Sequence, residues 1–349
     1  MLADVLGVSL HSFRRLHASF GTLAIALALF HTVLAVAATG KLNLHAPKDK
    51  YALVFIPLAL RNVWYEGALR MHQALSLAFA YAIWRHVGSV KLFPSLYIYV
   101  GGALFLTTST AFLGCVVYRN RSGLSWARIS LDKGTIQVRL QLSRPLKVQA
   151  GQYISLWVPS VSLWSFAQTH PFTITSWSKR PQNFLDFFIE PRHGFTKDLL
   201  ALLENGPTTC LALYSGPHGK QLPISRYENI VMLATEFGIA AHLSYLKKLM
   251  HDQRNRSTPV RRIHLVWQMK TRDVGIAAQK LLNKALNEDK LNGQDSLRVS
   301  MYVTEENIED LPFGDRAMAH HGPIPLADIV SSELRERRPG SETYLHVAP

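Results

Sequence analysis

The sequence predicts a chain of three parts: a bundle of apolar helices, a small antiparallel β-barrel and an α/β unit with a parallel sheet. Most of the long uncharged runs lie in residues 1–118. From residue 134 to about 222, short β-like runs separated by turns are typical of antiparallel strands. Beyond about 228, strands alternate with helical segments, which implies a parallel sheet with ligands at the carboxyl ends of its strands.

Two apolar segments each carry two histidines at the same spacing. The pairs are His17 with His31, and His72 with His86, and the members of each lie fourteen positions apart. Fourteen residues are just under four helical turns, so both histidines fall nearly on one face, roughly 21 Å apart along the axis. A single histidine in an apolar helix is usually a hydrogen-bonded interior residue. The repeated spacing favours ligands instead, because two such helices side by side would hold two haems, each between two histidines.

Three segments are predicted to cross a membrane. Residues 16–38 and 92–118 contain no charged side chain and are long enough to span about 30 Å of hydrocarbon. Residues 66–90 hold only fourteen uncharged residues between Arg70 and Arg85. They span the bilayer if both arginines extend towards opposite interfaces.

A fourth apolar segment, residues 51–60, is too short to span alone. It contains Pro57 and would reach roughly 15 Å as a helix, so it is half of a broken span or a stub. If it crosses the membrane, the arginine clusters beside the spans lie on the cytosolic side. His17 and His72 are then near the cytosol, and His31 and His86 near the outer face, as pairing at two depths requires.

The composition excludes several classes of protein. The net charge of +14 is not gathered into Lys/Arg blocks with interleaved aromatic residues, so nucleic acid is not the expected partner. We assign the excess to the membrane surface and to sites for phosphorylated cofactors. Cys115 and Cys210 lie far apart without a Cys-x-x-Cys motif, which argues against disulfides, zinc and iron–sulfur clusters.

Two motifs mark the predicted barrel, which follows a junction over residues 119–133. The first is HPFTITSW, residues 170–177, and the second is GFT, residues 194–196, just ahead of an amphipathic helix. A glycine and a hydroxyl at a helix N-terminus offer backbone N–H groups to a pyrophosphate. Most such junctions only cap their helix, so this signal is weak alone.

The α/β unit begins with a strand over Ile230–Ala234, a turn containing Gly238 and a helix. RRIHLVWQMK and LRVSMYVT predict two further strands, with a helix over AAQKLLNKALNED between them. The turn over residues 235–240 is therefore the expected site for a nucleotide phosphate. Its single glycine makes it a poor match to a glycine-rich fingerprint.

Together, the four histidines, HPFTITSW, the GFT turn, SGPHGK, ATEFGIAA and HLVWQMK resemble the ferric reductase and NADPH oxidase superfamily, most closely the fungal membrane ferric reductases. The resemblance implies a transmembrane haem domain over residues 1–118, an FAD barrel over 119–226 and a ferredoxin reductase-like NADPH domain over 227–349. It also implies that electrons pass from NADPH to FAD and then singly through two b-type haems to an acceptor outside.

The resemblance assigns roles to individual residues. It implies that His17 and His72 ligate the inner haem iron and that His31 and His86 ligate the outer one. The implied flavin contacts are His170, Pro171, Phe172 and Thr173, with Gly194, Phe195 and Thr196 at its pyrophosphate. The implied contacts to the NADPH phosphates are Gly238, Ile239 and Ala240.

The chain also departs from the family pattern. Two helices that precede the first span in the family are missing, and the fourth is represented only by residues 51–60. Glu236 and Phe237 stand where the family has small residues, and a carboxylate near a pyrophosphate disfavours binding. The chain stops at YLHVAP, about where the family has its Cys-Gly-Pro loop, so we expect a truncation at both ends.

The resemblance implies an NADPH-dependent reductase of external ferric or cupric ions, in the lipid bilayer of the plasma membrane, with its flavin and nucleotide domains in the cytosol. Three alternatives stay open. One is the reduction of oxygen to superoxide, which needs the same two haems. The second is a degenerate, non-catalytic paralogue. The third is a flavin reductase whose helices serve only as an anchor.

Overall fold

A computed structural model describes residues 10–39, 65–87, 92–121, 123–161, 170–291, 296–306, 317–336 and 342–348. The chain divides into two compact units, Met1–Gly114 and Cys115–Pro349. The predicted short segment 51–60 lies outside the described residues.

The described residues of the first unit form three helices: α1 (Leu10–Thr39), α2 (Tyr65–Val87) and α3 (Leu92–Asn120). The last residues of α3 belong to the second unit. Large apolar side chains are exposed along all three, including Phe20, Leu77 and Leu104. In the described part of the chain, one helical stretch is long and apolar enough to cross a membrane, judged by length and composition. It is Leu96–Asn120, within α3. The predicted span 16–38 falls in α1, and residues 66–87 of the predicted span 66–90 fall in α2.

The second unit begins with a curled antiparallel sheet of six strands in the order β4-β3-β6-β1-β2-β5. Its strands are β1 (Ser125–Asp132), β2 (Thr135–Leu146), β3 (Tyr153–Trp157), β4 (His170–Thr173), β5 (Gln182–Ile189) and β6 (Thr208–His218). A short helix, α4 (Phe195–Ala201), precedes β6. Ile129, Leu140, Ile154 and Leu185 alternate with exposed residues and fill the interior. The antiparallel sheet was correctly predicted from this alternation.

One sequence-based expectation for this region was wrong. Residues 119–133, expected to be a junction, contain β1, which pairs with both β2 and β6 in the middle of the sheet. Ala127 and Ile129 are fully buried, and their neighbours Trp126 and Arg128 are exposed. The short polar and apolar alternation of SWARISLD is therefore a strand pattern that the charged flanks concealed.

The remainder of the second unit is a parallel five-stranded sheet in the order β10-β9-β8-β7-β11. Its strands are β7 (Asn229–Thr235), β8 (Arg262–Met269), β9 (Leu297–Val303), β10 (Ala317–His321) and β11 (Thr343–Ala348). The helices are α5 (Ile239–Arg254), α6 (Arg272–Leu291) and α7 (Leu326–Glu336). The parallel sheet, its first three strands and its first two helices were correctly predicted. Strand β11, made by TYLHVA, was not.

Helices α5 and α6 bury one face of this sheet around Trp267, which is fully buried. Helix α7 covers the other face through Ile329. On that face, the buried His264 ring lies 2.6 Å from Glu333 Oε1 through Nδ1 and 2.8 Å from Ser300 Oγ through Nε2. All three side chains are at most 5% exposed, so these bonds fasten α7 to the sheet.

Candidate functional site

The HPFT strand packs against the GFT turn through aromatic rings. The His170 ring stacks on Phe195, with 4.1 Å between ring centres and 8° between planes, and Phe172 lies 6.1 Å from Phe195. Burial lowers the pKa of His170 to about 4, so its ring is neutral at physiological pH. Its Nε2 atom is buried and has no hydrogen-bond partner among the described residues.

Gly194 begins α4 with φ +73°, a backbone conformation that favours glycine. Its carbonyl oxygen accepts bonds from the amides of Lys197 and Asp198, at 2.8 and 3.0 Å. The Thr196 hydroxyl oxygen accepts the backbone N–H of Arg192 at 2.7 Å, which closes the turn. The sequence therefore folds into a tight loop that turns the chain from β5 into α4.

A cleft of about 530 Å³ brings the predicted residues of both sheets together. The flavin-side residues are Pro171, Phe172, Thr173 and Thr196, and the nucleotide-side residues are Gly238 and Ala240. The other predicted residues of these motifs, His170, Gly194 and Phe195, are not among the lining residues, and Phe195 belongs to the core of the antiparallel sheet. The side chain of Ile239, the first residue of α5, is fully buried, so only its backbone is open to the predicted phosphate contact.

Glu236 and Phe237 also line this cleft. Glu236 has φ +45°, which is unfavourable for a residue with a side chain. Two hydrogen bonds hold it there: Oε1 accepts the amide of Lys270 at 2.6 Å, and the carbonyl oxygen accepts Trp267 Nε1–H at 2.8 Å. The carboxylate therefore stands in the nucleotide turn with a partner inside the protein.

Sequence reasoning missed several residues of the cleft. The rings of Phe188 and Phe237 lie 5.5 Å apart with their planes tilted by 35°, and the exposed Arg192 pairs with Glu190 at 2.6 Å. Ala348, at the end of β11, also contributes to the lining. The charged pair sits beside GFT in the sequence and was detectable by proximity. The aromatic contact joins two sheets, and only the tertiary structure reveals it.

In the first unit, the four histidines form the two expected cross-helix pairs. The ring centres of His17 and His72 are 6.2 Å apart, and those of His31 and His86 are 6.3 Å apart. A metal–imidazole bond is about 2 Å, so two rings on opposite sides of one metal ion have centres roughly 6 Å apart. Each separation therefore matches the spacing expected across one metal ion, with the ring planes 88° and 68° apart.

Within the described ranges, no group of three or more His, Cys, Asp or Glu side chains could hold a metal ion. Cys115 and Cys210 are both free cysteines. A centre with two protein ligands does not depend on such a group.

Two segments of the second unit match models of known protein families. Residues 122–228 match a family model described as an FAD-binding domain. Residues 227–332 match the ferric reductase NAD binding domain.

Residues 122–332 thus match an FAD-binding domain followed by a ferric reductase NAD binding domain. These flavin and nucleotide domains are those of an oxidoreductase, and the predicted resemblance is confirmed for this part of the chain.

Similar ferric reductases are known from fungi and plants. The chain is 28% identical over 200 residues to the ferric/cupric reductase transmembrane component 2 of Saccharomyces cerevisiae, covering 56% of this chain and 27% of that protein. It is 28% identical to the probable cell surface ferric reductase kap2 of Aspergillus oryzae over 61% of this chain and 30% of that protein. For ferric reduction oxidase 5 of Arabidopsis thaliana, the identity is 26%, over 66% and 32%. The chain thus spans less than a third of the length of these relatives.

Among solved structures, a ferredoxin NADP⁺ reductase from Neisseria gonorrhoeae with bound FAD and NADP matches with a TM-score of 0.45 and 18% identity. The match covers 64% of this chain and 84% of that chain.

Proposed function

We propose that the protein moves electrons across a membrane from NADPH, with FAD and two b-type haems as carriers, to a ferric or cupric ion outside. The observation that carries this proposal is the pairing of the four histidines on a chain with ferric reductase flavin and NAD domains. We propose the domain division 1–118, 119–226 and 227–349 for the haem, FAD and NADPH parts.

The histidine pairs fit bis-imidazole iron ligation. His17 and His72 would hold one haem, and His31 and His86 the other, at ring separations of 6.2 and 6.3 Å. Iron between two imidazoles has no open position, so such a centre supplies single-electron transfer rather than substrate binding. The protein's contribution is to fix both ligands of each iron on opposite helices.

The flavin is proposed to lie against HPFT. The supporting observation is the unpartnered Nε2 of His170, a buried polar atom on the strand whose next three residues line the cleft. Such an atom is costly unless a ligand or ordered water satisfies it. Pro171, Phe172 and Thr173 would shape this wall, with Gly194, Phe195 and Thr196 at the pyrophosphate. When bound, a flavin accepts a hydride and releases single electrons.

The nicotinamide nucleotide is proposed to enter the same cleft from the α5 side. Gly238 and Ala240 line it, and Gly238 caps α5 without a side-chain hydrogen bond. The first amides of α5, including that of Ile239, would meet the phosphates there. Glu236 opposes this binding, because its carboxylate is negatively charged, as are the phosphates of the nucleotide.

The helices support a placement in the membrane. We propose that α1, α2 and α3 lie in the lipid bilayer of the plasma membrane and that the second unit is cytosolic, because exposed apolar side chains cover the helices. The names of the fungal and plant relatives favour a metal ion as acceptor. No nucleic acid partner is proposed.

A reduced-minus-oxidised absorbance spectrum of membranes that contain the full chain tests this function. We expect a b-type haem signal both with dithionite and with NADPH, followed by reoxidation on addition of a ferric chelate. A dithionite signal without an NADPH signal would contradict the proposed donor pathway. Reoxidation by oxygen with superoxide release, but not by the chelate, would replace the acceptor.

The matched control is the double variant His31→Leu/His86→Leu. We expect it to keep NADPH-dependent flavin reduction in the cytosolic domains and to lose reduction of the external chelate. Unchanged chelate reduction in this variant would favour a flavin reductase that uses its helices only as an anchor.

One observation favours a second candidate, a membrane paralogue without catalytic activity. Glu236 occupies the nucleotide turn and is fixed there by the Lys270 amide. If NADPH does not bind, as measured by calorimetry on the purified full chain, this candidate replaces the reductase.

A further inference from the structure

Helix α5 is hydrogen-bonded at several points along its length to loops of the antiparallel sheet β1–β6, which we call the flavin sheet. It starts at the nucleotide turn with Ile239, and Ser244, Tyr245 and Lys247 lie one to two turns further on. The Ser244 hydroxyl accepts the amide of Gly151 at 3.0 Å, and the Tyr245 hydroxyl accepts the amide of Leu222 at 3.0 Å. Both donors precede or follow strands of the flavin sheet.

The contact between Tyr245 and Gly151 is especially close. A methyl group placed on Gly151 would lie 2.3 Å from the Tyr245 hydroxyl oxygen, so only glycine fits beneath this ring. Gly151 also has φ +82°, which a residue with a side chain rarely adopts. The turn before β3 is thus shaped to receive α5.

Lys247 makes the most informative of these bonds. Its ammonium group donates to the carbonyl oxygen of Thr175 at 2.9 Å. Thr175 belongs to HPFTITSW, two residues after the cleft-lining Thr173, and both its amide and its hydroxyl donate to the carbonyl oxygen of Asp186. One rigid helix of about 12 Å from Ile239 to Lys247 therefore joins the nucleotide turn directly to the flavin motif.

We propose that Ser244, Tyr245 and Lys247 are positioning residues, which hold the HPFT strand and the nucleotide turn at the separation that hydride transfer requires. This inference rests on the proposed function. In that reaction the C4–H bond of NADPH breaks with its electron pair, an N–H bond forms on FAD, and NADP⁺ leaves. None of the three residues is among those that line the cleft, so they act by fixing the distance between its two walls.

Lys247→Met in the full chain tests the proposal, with Lys248→Met as the matched control. Lys248 is the next residue, but it bonds to Asp252 on its own helix and to Ser225, in the segment that leads into β7. We expect Lys247→Met to slow flavin reduction about tenfold in stopped-flow measurements, because small displacements of reacting groups are costly. The Kd values of NADPH and FAD should change less than twofold, and Lys247→Arg should restore much of the rate.

Amide hydrogen exchange of the cofactor-free chain provides a second readout. The amides of Gly151 and Leu222 donate to α5, so their exchange reports whether the helix stays in place. We expect Lys247→Met to raise exchange in segments 147–157 and 219–226 about tenfold, since a lost charge-assisted bond weakens the whole contact. Tyr245→Phe, which keeps the buried ring, should raise it in 219–226.

The outcomes separate the two proposals. Wild-type flavin that NADPH does not reduce contradicts the proposed function, whereas the exchange comparison still tests α5. Unchanged exchange in Lys247→Met, or equal effects of the two lysine variants on the rate, would overturn the positioning role.

Discussion

Paired histidines occur in both units of the chain, and the space between their rings differs. In the helical unit, the ring centres of His17 and His72 are 6.2 Å apart. In the nucleotide domain, those of His242 and His346 are 4.7 Å apart, in direct edge-to-face contact. The first separation matches that of two rings on either side of one metal ion, and the second is too short for an ion between the rings.

The surroundings of the histidines also differ between the two units. His242 is fully buried and lies 2.9 Å from the carbonyl oxygen of Leu233 through Nε2, which must carry the proton because a carbonyl only accepts. Burial lowers the pKa of His242 to about 4 and lowers that of His346. The His242 ring thus packs directly against His346, whereas the ring spacing of the helical pairs matches that expected across one metal ion.

The largest expected effect is on haem content. His72→Leu removes one of the two ligands at the proposed inner haem, so we expect about half of the haem absorbance to be lost. His242→Leu should leave haem per folded protein unchanged, because its pair has no room for iron. Pyridine haemochrome assays of both purified variants make this comparison. Full haem content in His72→Leu would refute the ligand assignment.

A comparison of two glycines sharpens the same contrast between open and filled space. Gly151 and Gly134 both have positive φ, +82° and +73°, but only Gly151 faces a contact, and Gly134 has nothing within 4 Å. Gly134→Ala should cost about 1 kcal/mol from backbone strain alone. Gly151→Ala should cost about 3 kcal/mol, since the Tyr245 ring must also move. Urea unfolding of both variants measures the difference, and equal losses would contradict the tight contact.

The contact between His242 and His346 predicts that the folded protein loses stability in acid. Because the folded pKa of His242 is about 4, below its ordinary 6.5, the folded state binds fewer protons than the unfolded state in this range. The contribution of His242 to the free energy of unfolding is therefore fully present above pH 6.5 and is lost as the pH falls towards 4. Between pH 7 and 5 we expect His242 to account for a loss of about 2 kcal/mol.

Urea unfolding at several pH values, followed by tryptophan fluorescence, tests this dependence. His242→Phe should flatten the profile over that window. An equally steep profile in the variant would assign the acid sensitivity to other groups.

The smallest effect is expected at Glu236, which fills space in the cleft. Glu236→Gln removes the charge but keeps an oxygen that can accept the Lys270 amide. Without the repulsion we expect NADPH to bind about fivefold more tightly, the effect of roughly 1 kcal/mol between partly exposed charges. Calorimetric titration measures it, with Glu236→Ala as the variant that loses the tether as well. Weaker binding in Glu236→Gln would show that the carboxylate aids the ligand.

Much of this architecture was predictable from sequence, because periodicity reports directly on burial. The equal spacing of the histidines predicted which rings meet, and the alternation in TIQVRLQL predicted β2. The strand–turn–helix at Ile230 to Gly238 predicted the nucleotide fold. These features depend on local pattern, which single sequences carry.

The missed features depend on contacts between distant segments. Nothing near Gly151 in the sequence indicates that Tyr245 packs on it, and nothing near Glu236 indicates its bond to Lys270. Strand β11 was missed because the short stretch TYLHVA becomes a strand through its pairing with β7. There the His346 ring contacts Tyr245 of α5. Side chains that join separate elements leave no periodic trace.

The bonds between α5 and the flavin sheet also bear on how the chain folds. Tyr245 is only 2% exposed, in part because the Gly151 turn lies against it. Separating the flavin sheet from the nucleotide sheet would uncover this ring and leave the Gly151 and Leu222 amides without their partners. The two sheets should therefore unfold together in a single cooperative transition, and a fragment that ends before β7 should be much less stable than the same residues within the whole chain.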